Sequence, residues 1–288
     1  MGLILATLLL ASQPAPKQPV KHDVVVDGHH FAVWQKRSTQ PRAAILLLHG
    51  RTWSSLPNFD LQVAGERRSF MDALVEAGFD VFALDMRGYG ATPRDASAWL
   101  TPDRAVADVL GVVAWMQQRM PQAQRVPVYL FGLSRGAMIA AMAAQQRPEV
   151  LGGVVLLGFG FDPDAQAAAT PANAKPERLQ NTASAAESDF LTKDAYTPAT
   201  VAAFSRAALK ADPVLVDWRD ENQFNAFRPA QVQAPVAIEQ KLFTRFGTPD
   251  KWWVILPGAD HAAHLEKSSA ELVRAIASFA RRHEVPNP

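Results

Sequence analysis

The chain has 288 residues, enough for one large domain with a sizeable buried core. Its 29 basic and 28 acidic residues give a formal net charge of +1. This balance gives no electrostatic reason to expect nucleic acid or an anionic membrane as a partner. The absence of cysteine excludes disulfides, thiolate metal sites and a cysteine nucleophile.

The N-terminus begins with an apolar run, Met1 to Ala11, that is too short to span a bilayer. A polar, proline-rich stretch follows from Ser12 to Pro19. We therefore expect residues 1–19 to be a signal peptide and linker, and the mature protein to be exported to the periplasm or secreted. The run lacks basic residues and a clean Ala-x-Ala site, so a ragged N-terminus on a cytoplasmic chain is the alternative. We expect no integral membrane span in the mature chain.

Short β-rich runs alternate with stretches of helical periodicity from Val24 onward. The predicted elements are a hairpin at 24–26 and 30–35, strands at 43–48, 81–84, 126–131 and 154–159, and helices near 69–77, from 101 to about 117, and at 137–146. Strands that alternate with helices predict a mainly parallel sheet with right-handed crossovers.

The composition changes after Phe161. Residues 164–176 are mostly alanine, proline and polar types, and residues 177–228 have helical patterns with scattered aromatics. This predicts an inserted helical cap over residues 161–230, between core parts at 20–160 and 231–288. Strand patterns resume at 235–238 and 252–256, and Ser268 with Glu271 predicts a capping box at the start of the closing helix.

The pentapeptide Gly132-Leu133-Ser134-Arg135-Gly136 follows a predicted strand and opens a predicted helix. In this context the Gly-x-Ser-x-Gly pattern is typical of a sharp turn that presents a nucleophilic serine above a sheet. Flanking positions in so tight a turn cannot carry bulk, which accounts for the two glycines. We therefore predict Ser134 as the nucleophile.

Serine needs a base within hydrogen-bond reach, and two histidines follow the last predicted strand. A histidine on a loop past that strand can fold over the carboxyl edge of the sheet, where Ser134 is expected. His261 is nearer the strand than His264, which could already belong to the next helix. We predict His261 as the general base.

The turn His49-Gly50-Arg51 ends an early strand on the same edge. The amides of Arg51 and Arg135 are the expected oxyanion donors. His49 is expected to hold this turn rather than to take part in catalysis.

These motifs resemble the α/β-hydrolase superfamily in its serine-nucleophile branch of esterases, lipases and serine aminopeptidases. The resemblance lies in the Leu46–Gly50 strand and turn, the Asp85–Gly90 segment, the serine turn and the Gly258–Glu266 histidine motif, and it extends from about residue 43 to 283. It implies an α/β-hydrolase fold, a mostly parallel sheet flanked by helices, with the cap inserted. It also implies a serine hydrolase that forms an acyl-serine intermediate.

Members of this superfamily complete a catalytic triad of serine, histidine and acid, and the acid is the member that this sequence does not show clearly. Relatives place an aspartate after the seventh strand, but Pro235 to Phe243 contains none. Only 16 residues separate Pro235 from Trp252, too few for a strand, a helix and a full catalytic loop. Three alternatives remain: Glu239 supplies the acid, Asp162 supplies it, or no acid is present and activity is impaired.

The expected partner is a small-molecule substrate, and aromatic side chains in the cap suggest an apolar group on it. Those side chains could equally form the core of the cap itself; they are Phe190, Tyr196, Phe204, Trp218, Phe224 and Phe227. No nucleotide-binding motif and no metal-ligand spacing is present, so no cofactor is expected. The alternative to an enzyme is a catalytically impaired protein of this fold that binds a small ligand, and the sequence gives no indication of the oligomeric state.

Overall fold

A computed structural model of the chain describes residues 18–120, 126–162, 165–238 and 243–283. Most of the predicted signal peptide (residues 1–17) and the candidate acid Glu239 lie outside these described residues. Among the residues described, no helix combines the length and apolar character needed to cross a bilayer.

Ten strands are present in the described residues: β1 Val20–Val26, β2 His29–Lys36, β3 Ala43–Leu48, β4 Phe79–Leu84, β5 Trp99–Leu100, β6 Val128–Leu133, β7 Gly153–Leu157, β8 Asp217–Trp218, β9 Val236–Ile238 and β10 Lys251–Trp253. Eight of them form one sheet in the order β1-β2-β4-β3-β6-β7-β9-β10. β2 runs antiparallel to β1 and β4, and the other neighbours are parallel. The predicted mainly parallel sheet is confirmed.

The α-helices that lie wholly within the described residues are α1 Ser55–Phe59, α2 Phe70–Glu76, α3 Pro102–Arg119, α4 Arg135–Gln146, α5 Ala183–Glu187, α6 Pro198–Ala211 and α7 Ser269–Arg281. α3 and α4 contribute to the core on one face of the sheet, and α2 and α7 to the core on the other. β3 faces both cores, because Leu46 and Leu48 point to one and Ile45 and Leu47 to the other. A strand buried on both faces reads as a continuous apolar run, as its sequence does.

Residues 165–235, here called the interstrand segment, run between β7 and β9 and include α5, α6, β8 and two short 3₁₀ helices. This is the part of the chain for which the sequence predicts a helical cap. Phe204 and Ala208 of α6 form a small core with Trp53 and Leu265, which belong to loops at the carboxyl edge of the sheet. The segment therefore lies over the edge where Ser134 is expected.

The predicted capping box at the start of α7 is wrong. Ser268 has helical backbone angles, φ −71° and ψ −7°, whereas a capping residue is normally extended. Its hydroxyl makes no capping hydrogen bond and instead donates to the carbonyl of Ala263 at 3.3 Å. The last strand is also shorter than predicted, because β10 ends at Trp253.

Candidate active site

Ser134 lies at the turn between β6 and α4 with φ 53° and ψ −112°. Residues that have a Cβ rarely adopt a positive φ, and those that do cluster at functional sites. The backbone N–H of Ser134 donates to the carbonyl of Leu157 on β7 at 2.8 Å, which holds the strained turn in place. The hydroxyl makes no capping hydrogen bond to α4.

The two glycines of the turn are required by close contacts. A Cβ on Gly132 would overlap the backbone of Ala137, and a Cβ on Gly136 would overlap the carbonyl oxygen of Leu48 on β3. The turn therefore excludes side chains at both positions, as the sequence predicts.

His261 lies between β10 and α7, with its imidazole against Gly158 at the end of β7. A Cβ built on Gly158 would lie 2.8 Å from Nδ1 of His261 and 3.8 Å from the backbone nitrogen of Ser134. Nδ1 of His261 and the backbone nitrogen of Ser134 therefore lie no further apart than the sum of these two distances. The absent side chain at Gly158 makes the room that the imidazole occupies.

Ser134 and His261 line the same cavity, which has a volume of about 130 Å³. Arg51, one of the two expected oxyanion donors, lines it as well, and Arg135 follows Ser134 directly in the chain. The fold thus brings Arg51, Ser134 and His261, three residues that the sequence selects as a site, to one cavity. In the part of the chain that is described, no group of three or more His, Asp or Glu is arranged to hold a metal ion.

His49 holds the turn beside this cavity. Its Nδ1–H donates to the carbonyl of Gly50 at 2.8 Å, and its Nε2 accepts from the backbone N–H of Met86 at 3.1 Å. Burial lowers the pKa of His49 to about 4, so the ring is neutral and can fill both roles. Because a peptide group is planar, fixing the Gly50 carbonyl also fixes the direction of the Arg51 N–H. The expected structural role of His49 agrees with these contacts.

Of the two candidate acids, only Asp162 lies among the described residues. The histidine ion pairs among the described residues are those of His30 and His283, so His261 forms none with a described carboxylate. Asp162 is exposed and does not line the cavity of Ser134. Glu239 lies outside the described residues.

Asp189, which the sequence analysis missed, lines the cavity from the interstrand segment. The indole N–H of Trp53 donates to its carboxylate at 3.1 Å. Burial raises the pKa of Asp189, and attraction to His261 opposes that rise. An aspartate in a turn between two helices has no local pattern to mark it, and only its position against Trp53 and His261 identifies it.

His264, the rejected candidate for the base, also lines the cavity but is buried against Phe59 and Phe70. Neither of its ring nitrogens has a hydrogen-bond partner within the described residues. Burial lowers the pKa of His264 to about 3, so it is neutral and offers one donor and one acceptor. It lies in a turn, since α7 begins only at Ser269.

The aromatic side chains of the interstrand segment divide between two locations. Phe190 and Phe204 line the cavity and contact each other with ring centroids 5.3 Å apart. Trp218 and Phe224 instead lie against the guanidinium of Arg135. Phe190 and Phe204 also belong to the small core around α6, so packing accounts for both pairs of rings.

Among curated proteins, the monoglyceride lipases of Mus musculus and Homo sapiens are each 32% identical to this chain over 150 residues. The match covers 50% of this chain and 44% of either lipase, so the chain spans less than half the length of the curated relatives it matches.

Solved structures share the fold over nearly the whole chain. A soluble variant of monoglyceride lipase from Saccharomyces cerevisiae superposes with a TM-score of 0.66 and 18% identity, covering 96% of this chain and 99% of that one. A serine hydrolase involved in carbazole degradation gives a TM-score of 0.61 and 17% identity, covering 92% and 99%. At such identities the likeness shows the α/β-hydrolase fold alone. The model of the serine aminopeptidase S33 family matches residues 39–217, more than half of the sequence, and the chain therefore belongs to that family of α/β-hydrolases.

Proposed function

We propose that this chain is a serine hydrolase of carboxylic esters. The proposal depends above all on the strained Ser134 at the end of β6, which shares one cavity with His261. Serine is a weak nucleophile at neutral pH and needs an adjacent base. The curated relatives carry the name monoglyceride lipase, which supports an ester as the substrate.

In the proposed reaction, the Ser134 oxygen attacks the ester carbonyl carbon while His261 accepts the hydroxyl proton. The bond between the carbonyl carbon and the alcohol oxygen then breaks, and His261 gives the proton to the departing alcohol. A water molecule attacks the acyl-serine as His261 takes one of its protons. The carboxylic acid leaves, and the proton returns to the Ser134 oxygen.

We assign the amides of Arg51 and Arg135 as donors to the oxyanion of this reaction. The contacts of His49 fix the Gly50–Arg51 peptide, and Arg135 is the first residue of α4, where amides have no intrahelical acceptor. Donors held in place before the reaction stabilise developing charge without reorganisation. Removing one such donor typically lowers kcat by about 10²–10³-fold.

We further propose that Asp189 stabilises the imidazolium that His261 becomes during the reaction. This carboxylate lines the same cavity, and its charge interacts with His261. Glu239 is the remaining sequence candidate for a direct hydrogen bond to the ring, because Asp162 is exposed and does not line the cavity.

The cavity also supports a substrate class. The carboxylate of Asp189 offers hydrogen-bonding atoms to a group in the cavity of Ser134, and the volume of about 130 Å³ suits a short group. We propose an ester whose alcohol is small and hydroxylated, as glycerol is, with the interstrand segment acting as the cap over it. This differs from the apolar group suggested by the aromatic composition of that segment.

Labelling with a fluorophosphonate probe tests the serine hydrolase directly. The wild-type chain should be labelled on Ser134 and should hydrolyse 1-butyrylglycerol with a higher kcat/KM than butyl butyrate, which has the same acyl chain. The Ser134→Ala variant should lose both labelling and hydrolysis. Labelling that persists in this variant would place the nucleophile elsewhere.

A catalytically impaired ligand-binding protein is the second candidate, favoured by the absence of an ion pair between His261 and any described carboxylate. That candidate predicts a wild-type chain that is neither labelled nor hydrolytic but binds glycerol esters in equilibrium titration. Turnover of the same ester would exclude it.

A further inference from the structure

Glu221 opens the 3₁₀ helix Glu221–Ala226 in the interstrand segment, and its carboxylate contacts two different arginines. One oxygen lies 3.4 Å from Nη2 of Arg51, and the other accepts a hydrogen bond from Nη1 of Arg135 at 3.1 Å. These are the two residues whose backbone amides we assign to the oxyanion. A single side chain of the segment thus joins both sides of the proposed oxyanion hole.

The Arg135 side chain depends on this carboxylate. Only 11% of it is exposed, and its guanidinium lies 5.3 Å from the ring centroid of Trp218 and 5.0 Å from that of Phe224. Burial lowers the pKa of Arg135, and the charge of Glu221 opposes that change. A buried guanidinium without a counter-charge is strongly unfavourable, so Arg135 would leave this position if Glu221 lost its charge.

The interstrand segment interacts with Arg51 in two ways, one direct and one through Tyr89. Its side chain is half-exposed and contacts Glu221. Its carbonyl accepts a hydrogen bond from the hydroxyl of Tyr89, which in turn accepts one from the indole N–H of Trp218 at 2.8 Å. The turn after β3 has no regular secondary structure of its own, so these contacts and those of His49 contribute to its position, together with the hydrogen bond from the Ser54 N–H to Asp212 at 2.7 Å.

We propose that Glu221 is a positioning residue that holds the Arg51 and Arg135 amides at the separation the oxyanion needs. The inference rests on the proposed serine hydrolase function and extends it, because it makes the oxyanion hole dependent on the interstrand segment. Glu221 acts through the two arginines and needs no contact with the substrate. Its loss should therefore slow the chemical step more than it weakens substrate binding.

The matched pair of variants is Glu221→Gln and Glu66→Gln. Glu66 also ties the interstrand segment to the core, since it accepts hydrogen bonds from Thr197 and Thr200, but it is paired with Arg68 rather than with Arg51 or Arg135. With an ester substrate, Glu221→Gln should lower kcat by about tenfold or more while KM changes by less than about threefold. The rate of fluorophosphonate labelling should fall in the same proportion. Glu66→Gln should leave all three quantities within about threefold of wild type.

A double-mutant cycle with Arg135→Met shows whether Glu221 acts through the arginine. Glu221→Gln should cost less in the Arg135→Met background than in the wild-type chain, because only the contact with Arg51 then remains to be lost. If Glu221→Gln does not fold, Arg51→Met provides the second measurement. This variant removes the half-exposed side chain that contacts Glu221 and keeps the backbone amide of residue 51. It should lower kcat and the labelling rate together.

An unchanged kcat in Glu221→Gln, a loss confined to KM, or an equal loss in Glu66→Gln would overturn the inference while leaving the hydrolase intact. If only Arg51→Met can be measured, an unchanged kcat in that variant has the same meaning. A wild-type chain without labelling or turnover would refute the proposed function itself, and with it the positioning role of Glu221. The two failures are therefore distinguishable.

Discussion

Replacing Ser134 by glycine should make the folded chain more stable while abolishing hydrolysis. Ser134 has φ 53° and ψ −112°, backbone angles that glycine adopts readily and that a residue with a Cβ does not. The serine hydroxyl makes no capping hydrogen bond to α4, so its removal sacrifices no such bond. The effect of backbone strain on stability can therefore be measured separately from the role of the Ser134 hydroxyl in catalysis.

The expected gain follows from two opposing effects. A non-glycine residue held in such a region is destabilised by about 1–3 kcal/mol. Glycine loses more backbone freedom on folding than other residues, which offsets about 0.5–1 kcal/mol of the relief. The free energy of unfolding should therefore rise by up to roughly 2.5 kcal/mol. For a chain of this size that is an increase in Tm of up to about 10 °C.

Thermal and urea denaturation of three variants measure this gain. Ser134→Ala removes the same hydroxyl but keeps the Cβ, so its Tm should stay within about 1 °C of wild type. Ser278→Gly, within α7, should be destabilised by about 0.5–1 kcal/mol, because glycine is unfavourable inside a helix. If Ser134→Gly were less stable than Ser134→Ala, the turn would not be strained and the reasoning would be refuted.

Three further predictions concern the side chains around Ser134. His261→Ala should lower kcat by roughly three orders of magnitude or more. His264→Leu, of similar volume, should keep kcat, because His264 is buried among aromatic rings. Equal losses would show that both imidazoles act in proton transfer. Asp189→Asn should lower kcat, because its carboxylate no longer stabilises the charged imidazolium of His261, whereas Asp162→Asn should leave kcat unchanged, since Asp162 is exposed. The opposite result would assign the acid to Asp162. Burial raises the pKa of Glu266 to about 7, so the folded chain keeps a proton that the unfolded chain loses, and stability should fall as pH rises from about 4.5 to about 7. Glu266→Gln should flatten that dependence in urea denaturation, and an unchanged slope would contradict it.

The parts of the site that the sequence predicts are those fixed by short-range sterics. Gly132 and Gly136 flank Ser134 because the strand-to-helix turn leaves no room for a Cβ at either position. This steric requirement can be recognised from five consecutive residues of the sequence. The buried strands β3 and β6 are recognisable because burial on both faces demands a continuous apolar run. The Ser268 capping box failed because Ser268 is already helical there, and its hydroxyl finds the Ala263 carbonyl instead.

The carboxylate that lines the cavity could not be predicted in the same way. The sequence offers Glu239 and Asp162 because each follows a strand, but the carboxylate found in the cavity is Asp189, which lies 136 positions from its hydrogen-bond partner Trp53. A contact between two loops at that separation leaves no periodicity in either of them. It exists only once α5 and α6 are folded over the edge of the sheet.

The sequence by itself determined the parallel sheet, the serine turn and the histidine that follows the last strand, because each depends on residues within one element or one turn. Only the tertiary structure decided what surrounds them: Asp189 and the unpartnered His264 in the cavity, and Glu221 between Arg51 and Arg135. The physical reason is that charge and hydrogen-bond interactions depend on distance in space, whereas helical and strand patterns depend on distance along the chain.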